Sequence, residues 1–167
     1  MFQPAEEGPG GAKPMIEAGI LENPHLEYSV ACHLWPGLPA GTLGLKPGVL
    51  MSAGSAFKIK GRGGHGAMPH LCVDALDTAV QVANALQRVV NQKLNPLIPP
   101  VVTIGSFHAG SAPNIISEDA MLTDTIRTFN KKTWEDYPEI LEQVIKGVRG
   151  SMGASYELAT SPGYHKR

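Results

Sequence analysis

The sequence is poor in cysteine, in net charge and in long apolar runs, and each shortage excludes a class of protein. Two cysteines among 167 residues are too few for a disulfide scaffold and are typical of a reduced, cytoplasmic protein. A formal net charge of -1 predicts no binding of nucleic acid and no attraction to a membrane surface. No apolar run approaches the ~20 residues of a membrane span. We therefore expect a soluble, unexported protein whose partners are small polar or acidic molecules.

The chain is nevertheless apolar enough to bury a core, since 43% of its residues are hydrophobic and 17% are charged. In the first third, residues 2–3 have the pattern of a strand end, and helical spacing over residues 12–21 turns Met15, Ile16 and Ile20 inward. Compact apolar runs predict strands over residues 28–33 and 42–45. This part of the chain indicates a piece of an α/β domain.

The pattern changes after residue 51 and predicts a second unit. Alternating or apolar runs predict strands over residues 56–61, 101–107, 121–129 and 155–159. Apolar spacing predicts helices over residues 74–90 and 132–152. The order strand, helix, strand, strand, helix, strand is that of a ferredoxin-like βαββαβ domain. We therefore predict three parts: residues 1–51, a partial α/β catalytic domain; residues 52–161, a complete ferredoxin-like domain; and residues 162–167, a tail.

Two adjacent carboxylates, Glu6 and Glu7, lie in the stretch FQPAEEGPGGA at residues 2–12. Neighbouring side chains point in different directions, so one carboxylate can bind a cation while the other moves a proton. The alternative is an acidic helix start that the helix dipole favours. This stretch alone leaves both interpretations open.

Four motifs occur in the order found in one family of enzymes. They are FQPAEEGPGGA, the strand end Cys32-His33, GRGGHGAMPH at residues 61–70, and PNII at residues 113–116 followed by TIRTF at residues 125–129. In this the chain resembles the dinuclear metallopeptidases and amidohydrolases that include hippurate hydrolase, aminoacylase, carboxypeptidases and plant indole-acetyl-amino-acid hydrolases. The resemblance extends to about residue 156.

The resemblance implies roles for three residues of the first part. Glu6 corresponds to the general base, which takes a proton from the attacking water and passes it to the leaving amine. Glu7 and His33 correspond to ligands of two different cations, which would be two divalent ions of zinc, manganese or cobalt. The family's other ligands, a histidine and cysteine cluster before the glutamates and a late histidine, have no match here. Without that resemblance, a histidine at the end of an apolar strand, such as His33, is more often a structural imidazole.

The resemblance also implies roles for three residues of the second part. His65 corresponds to a histidine that reaches the active site of a partner subunit and stabilises the oxyanion. Asn114 corresponds to an asparagine that holds substrate, and Arg127 to an arginine that pairs with the substrate carboxylate. The flanking glycines would let the backbone approach the substrate. A solvated turn histidine and a structural arginine are the alternatives. The sequence departs from the family at Ser117, where proline is expected, and at Asp124, where glycine is expected.

These observations predict a metal-dependent amidohydrolase or carboxypeptidase that cleaves the amide bond of N-acyl amino acids or small peptides. We expect an incomplete chain, inactive alone, that forms a homodimer through its second part. The alternative is a non-catalytic dimerisation or ligand-binding module derived from the same family. A ferredoxin-like nucleic-acid binder is the last alternative, because the predicted strands lack a basic and aromatic readout pattern.

Overall fold

The computed structural model describes residues 2–4, 10–45 and 51–161, and the chain divides into two compact units, residues 1–45 and 46–167. In the described part of the first unit, one short helix, α1 (Ala12–Glu17), is followed by turns and irregular chain. Its last residues lead into Gly19, whose φ of +80° is a conformation that favours glycine. The predicted helix over residues 12–21 is therefore correct in place and too long.

The strands predicted in the first unit are wrong. Residues 28–33 and 42–45 have no regular secondary structure and are exposed to solvent, and no described residue pairs with them in a ladder. Residues 2–3 likewise form no strand. A strand is stable only where neighbours take up its N–H and C=O groups, and no such neighbour lies within the described residues. The predicted inward face of α1 is also absent, since the helix buries none of its residues and Ile16 is 54% exposed.

The second unit, whose described residues are 51–161, is called the sheet unit below. Its elements are β1 (Met51–Lys60), β2 (Gly64–His65), a 3-10 turn (Pro69–Leu71), α2 (Ala75–Lys93), β3 (Val101–Ala109), β4 (Ile115–Ile116), β5 (Asp119–Thr128), α3 (Lys131–Met152) and β6 (Ser155–Ser161). The four long strands form an antiparallel sheet in the order β3-β5-β1-β6, and β2 pairs with β4 in a separate small sheet. This confirms the predicted ferredoxin-like fold.

The two long helices begin and end where local chemistry favours it. Asp74 accepts a hydrogen bond from the Asp77 amide at 3.1 Å and so caps α2. Asn130 caps α3 in the same way by accepting from the Thr133 amide at 2.9 Å. Gly153 ends α3 in the left-handed conformation, with φ +73°. These caps determine where the helices begin and where α3 ends, and both helices pack on each other and on the strands of the sheet.

The core lies between that face and the helices. Every second residue of β5 is buried, from Ala120 to Thr128, as a strand with one covered face requires. The buried stripe of α2 differs from the one that its apolar residues alone would indicate, because Leu76 is 39% exposed and Thr78 is fully buried. Thr78 can face the core because its hydroxyl donates to the Asp74 carbonyl oxygen at 2.6 Å. Which residues of α2 are buried therefore depends on local hydrogen bonding as well as on hydrophobicity.

Asp124, where the family resemblance leads one to expect glycine, faces this core. It is 6% exposed and accepts a hydrogen bond from the hydroxyl of Tyr137 on α3, which is 1% exposed. Its other carboxylate oxygen has no hydrogen-bond partner among the described residues. Burial raises the pKa of the Asp124 carboxyl above its ordinary value, and the Tyr137 hydrogen bond opposes that shift without cancelling it. Burial beside Asp124 also raises the pKa of the Tyr137 hydroxyl.

We predict that Asp124 makes folding stability fall as pH rises through the interval between the ordinary carboxyl pKa of 3.8 and the raised folded-state pKa. In that interval the folded protein binds the proton more tightly than the unfolded chain, so loss of the proton favours unfolding. The free energies of unfolding of the natural protein and of Asp124→Asn are measured by denaturation at several pH values. As pH falls, the value for the natural protein should increase relative to the value for Asp124→Asn. A difference that stays constant across this interval would contradict the assignment.

Candidate functional site

The glycine-rich stretch at residues 61–66 packs closely against other segments of the sheet unit. A Cβ atom at Gly61 would lie 2.1 Å from the Val73 carbonyl oxygen, and one at Gly63 would lie 2.8 Å from the Ile116 carbonyl oxygen. Neither glycine has a positive φ, so what glycine supplies here is space rather than conformational freedom. These glycines thus let the chain approach its own backbone, a role that differs from the predicted approach to substrate.

This close packing brings two of the predicted site residues together. His65 lies in β2 directly opposite Ile115 of β4, and the Gly66 amide donates to the Asn114 carbonyl oxygen at 2.8 Å. The side chains of His65 and Asn114 are both exposed. Two side chains that can donate hydrogen bonds therefore project from one rim of the sheet unit.

The turn after His65 forms a backbone hydrogen bond to Nδ1 of the imidazole. The Ala67 amide donates to His65 Nδ1 at 3.1 Å, and the Met68 amide donates to the His65 carbonyl oxygen at 2.9 Å. This contribution of Ala67 cannot be predicted from residue type, because every residue except proline has a backbone amide. A polar side chain two residues before an amide in a tight turn is the pattern that would have indicated it.

Arg127 lies at the opposite end of the sheet. It is paired with Ser52 at the start of β1, whereas Lys60, at the end of β1 that leads into the glycine-rich stretch, is paired with Asp119. The eight residue-to-residue steps along β5 from Asp119 to Arg127 span about 26 Å at the usual rise per residue. Arg127 is exposed and forms no ion pair with any described residue. The structure therefore does not bring Arg127 to His65 and Asn114 within one chain.

Of the three predicted metal-site residues, only His33 falls in the described part of the chain; Glu6 and Glu7 lie outside it. His33 Nδ1 donates to the Leu34 carbonyl oxygen at 2.6 Å, which leaves the lone pair on Nε2. Metal-binding histidines are usually held in this way by a carbonyl or carboxylate, so His33 fits the ligand role. Residues 2–4, 10–45 and 51–161 contain no group of three side chains that could hold a metal ion together.

Ser117, where the resemblance leads one to expect proline, stabilises the chain between β3 and β5. Its hydroxyl accepts from the Gly110 amide at 3.2 Å and donates to the Asp119 carbonyl oxygen at 2.6 Å. Its own carbonyl oxygen accepts from the Ala75 amide at 3.1 Å. Serine thus links β4, the start of α2 and the start of β5 by hydrogen bonds.

Residues 49–151 match the family described as the peptidase dimerisation domain, and this range is more than half of the chain. The chain belongs to this family. Over 168 residues it is 38% identical to N-acetyldiaminopimelate deacetylase of Bacillus subtilis, and over 167 residues 38% identical to N-acyl-L-amino acid amidohydrolase of Geobacillus stearothermophilus. These alignments cover 99% and 98% of this chain and 45% of each relative. The dimerisation-domain chain therefore spans less than half the length of these relatives.

Solved structures are also similar to this chain over nearly its whole length. A provisionally named aminohydrolase of methicillin-resistant Staphylococcus aureus superimposes with a TM-score of 0.80 at 32% identity, over 97% of this chain and 42% of that one. Aminobenzoyl-glutamate utilization protein of Klebsiella pneumoniae gives 0.70 at 26% identity, over 96% of this chain and 40% of that one. The resemblance stated from the four motifs is thereby confirmed. The roles of the individual site residues stay predictions.

No helix within the described ranges is both long enough and apolar enough to cross a membrane.

We predict that Gly61→Ala destabilises the sheet unit by roughly 1–3 kcal/mol, because the new methyl group meets the Val73 backbone rather than a mobile side chain. Gly147→Ala is the matched control, since Gly147 lies within α3 with no atom within 4 Å of the added methyl. The control should stabilise the protein by about 1 kcal/mol through helix propensity. Chemical denaturation measures both changes. Equal effects of the two substitutions would show that the close packing at Gly61 is unimportant.

Proposed function

We propose that this chain is part of a metal-dependent amidohydrolase that cleaves the amide bond of N-acyl amino acids or small peptides. Residues 52–161 would form its lid and dimerisation domain, residues 1–51 part of its catalytic domain, and residues 162–167 a tail. The observation that carries the proposal is the projection of His65 and Asn114 from one rim of the sheet unit, in a chain whose named relatives are a deacetylase and an amidohydrolase. A reduced, cytoplasmic setting is part of the proposal.

The reaction requires water to attack an amide carbonyl and a proton to reach the leaving amine. Two divalent cations, of zinc, manganese or cobalt, would supply water activation and polarisation of the carbonyl when bound. Glu7 and His33 would hold them, with His33 using Nε2. Glu6 would accept the proton from the attacking water and deliver it to the amine. His65 would donate a hydrogen bond to the oxyanion, and Asn114 would orient the substrate.

The position of Arg127 supports a site built from two chains. A small N-acyl amino acid is much shorter than the roughly 26 Å between Arg127 and the His65 end of β5, so one substrate cannot contact both residues of one chain. If Arg127 pairs with the substrate carboxylate, the His65 at that site comes from the partner. A two-fold homodimer provides this arrangement twice.

The edge strand β3 has the properties of the dimer interface. The sequence carries no aspartate, glutamate, lysine or arginine between Lys93 and Glu118, and Val101 on the edge is 60% exposed. At the opposite edge, Glu157 of β6 pairs with Lys60, and the neighbouring helix α3 carries three ion pairs along its surface. An uncharged edge strand readily pairs with a second chain, whereas charges near an edge discourage pairing.

The alternative function is a non-catalytic dimerisation or ligand-binding module. The match of residues 49–151 to the peptidase dimerisation domain favours it for the chain acting by itself. Metal content separates the two functions, because such a module would retain no stoichiometric divalent cation.

We predict that two inactive variants restore activity when mixed, in a protein that carries this sequence within the full length of its relatives. Glu6→Gln should lose about 10²–10⁴-fold in kcat and His65→Ala about 10²–10³-fold. After subunit exchange, verified by mass, mixed dimers should regain one working site for hydrolysis of N-acetyl amino acids. Failure to regain activity would show that His65 acts within its own chain or not at all.

A second mixture tests Arg127 in the same assay. A mixed dimer of Arg127→Ala and His65→Ala should also regain one working site. If each site takes Arg127 from one chain and His65 from the other, one site of this dimer contains both natural residues and the other contains both substitutions. No recovery in this mixture alone would show that Arg127 and His65 of one chain serve the same site, against the distance between them.

We also predict that Thr103→Lys, at an exposed position of β3, weakens dimerisation about tenfold or more, equivalent to about 1.4 kcal/mol. Each chain would bring a positive charge to the paired edge. Thr160→Lys, at an exposed position of β6, is the control and should leave the dimer unchanged. Sedimentation equilibrium measures both constants. Weakening by Thr160→Lys alone would assign the interface to the other edge.

A further inference from the structure

The backbone amides of the turn that follows His65 donate hydrogen bonds within the protein. Gly66 donates to the Asn114 carbonyl oxygen at 2.8 Å, Ala67 donates to His65 Nδ1 at 3.1 Å, and Met68 donates to the His65 carbonyl oxygen at 2.9 Å. Three successive N–H groups therefore already have partners, two within the turn and one on the segment that carries Asn114. This glycine-rich turn differs in that respect from loops whose free amides bind anions.

We propose that the Ala67 backbone amide is a positioning group that fixes His65 as the Nε2–H tautomer. A neutral imidazole has one donor and one acceptor nitrogen. Because an amide N–H points at Nδ1, that nitrogen is the acceptor and the ring proton is on Nε2. His65 is exposed, and Nε2 has no hydrogen-bond partner among the described residues. Nε2–H is thus the donor that the turn offers to a ligand.

The ligand class follows from this arrangement. A fixed N–H donor with no competing amide beside it suits a single oxygen that carries partial or full negative charge. Under the proposed function, on which this step rests, that oxygen is the former amide carbonyl oxygen at the moment of attack. A neutral donor of fixed orientation serves that role without first having to change tautomer.

Among the described residues, His33 is the other histidine whose ring forms a hydrogen bond with the backbone, and there the backbone favours the opposite tautomer. His33 Nδ1 faces the Leu34 carbonyl oxygen at 2.6 Å, so it donates and its Nε2 is the acceptor. An acceptor Nε2 suits a cation, and a donor Nε2 suits an anion. The type of backbone group opposite Nδ1 therefore distinguishes the two proposed roles.

The test is a spectroscopic measurement on the 167-residue chain itself. Histidine is labelled with ¹⁵N, and long-range proton–nitrogen correlation spectra are recorded at a pH where the imidazoles are neutral. His65 should show a single tautomer with the proton on Nε2. His70, exposed in the same segment and without a ring hydrogen bond among the described residues, is the internal control and should show a mixture of tautomers. A mixture at His65 like that of His70, or a proton on Nδ1, would overturn the proposal.

Matched variants identify the amide as the cause. Ala67→Pro removes the N–H and should return His65 to a tautomer mixture, whereas Ala67→Gly retains the N–H and should leave the single tautomer. Should Ala67→Pro disturb the fold, as judged from the amide spectrum, hydrogen exchange at Ala67 replaces it. Exchange should be faster in His65→Ala and stay slow in His65→Asn, whose side-chain oxygen also accepts from an amide two residues on. Equal exchange in both variants, or an unchanged tautomer in Ala67→Pro, would refute the role of the amide.

These measurements require neither metal nor substrate. Failure of the subunit-mixing experiment would leave them unaffected, and a wrong tautomer would leave the mixing result unaffected. The proposed function and this inference can therefore fail separately.

Discussion

The sheet unit depends on the close contact between the glycine-rich stretch and the backbone of two other segments. Gly61 meets the chain at Val73, and Gly63 meets β4 at Ile116, at distances that leave no room for a methyl group. This contact places β2 beside β4 and so sets His65 next to the segment that carries Asn114. A change in this packing would therefore move the candidate donors relative to each other, even if their side chains were untouched.

Backbone groups also determine what each candidate histidine can bind. A carbonyl opposite Nδ1 in His33 and an amide opposite Nδ1 in His65 give the two rings opposite hydrogen-bonding character at Nε2. Side-chain type alone could not distinguish them, because both are exposed histidines. The local turn geometry thus adds chemical information that the residue type does not contain.

The sequence predicted the sheet unit well because its signals are local and agree with one another. Alternation in β5, the Asp74 cap and the apolar stripe of α3 each indicate the observed element. The strands predicted over residues 28–33 and 42–45 did not form, since an apolar run becomes a strand only when another strand pairs with it. The β2–β4 pair escaped prediction because two-residue strands carry no periodicity. The burial of Asp124 was also beyond sequence reasoning, since its partner Tyr137 comes from the following helix.

The geometry of the sheet finally constrains how a complete site can be assembled. His65 and Asn114 lie beyond the Asp119 end of β5 and Arg127 lies near its other end, and these two ends are about 26 Å apart. No rearrangement of side chains closes such a gap, because it is set by the length of a strand paired on both sides. A second copy related by a two-fold axis can bring the Arg127 end of one sheet towards the same substrate as the His65 end of the other. The uncharged edge of β3 provides a surface for such a copy. The same sheet therefore separates Arg127 from His65 within one chain and offers an edge at which a second chain can bind.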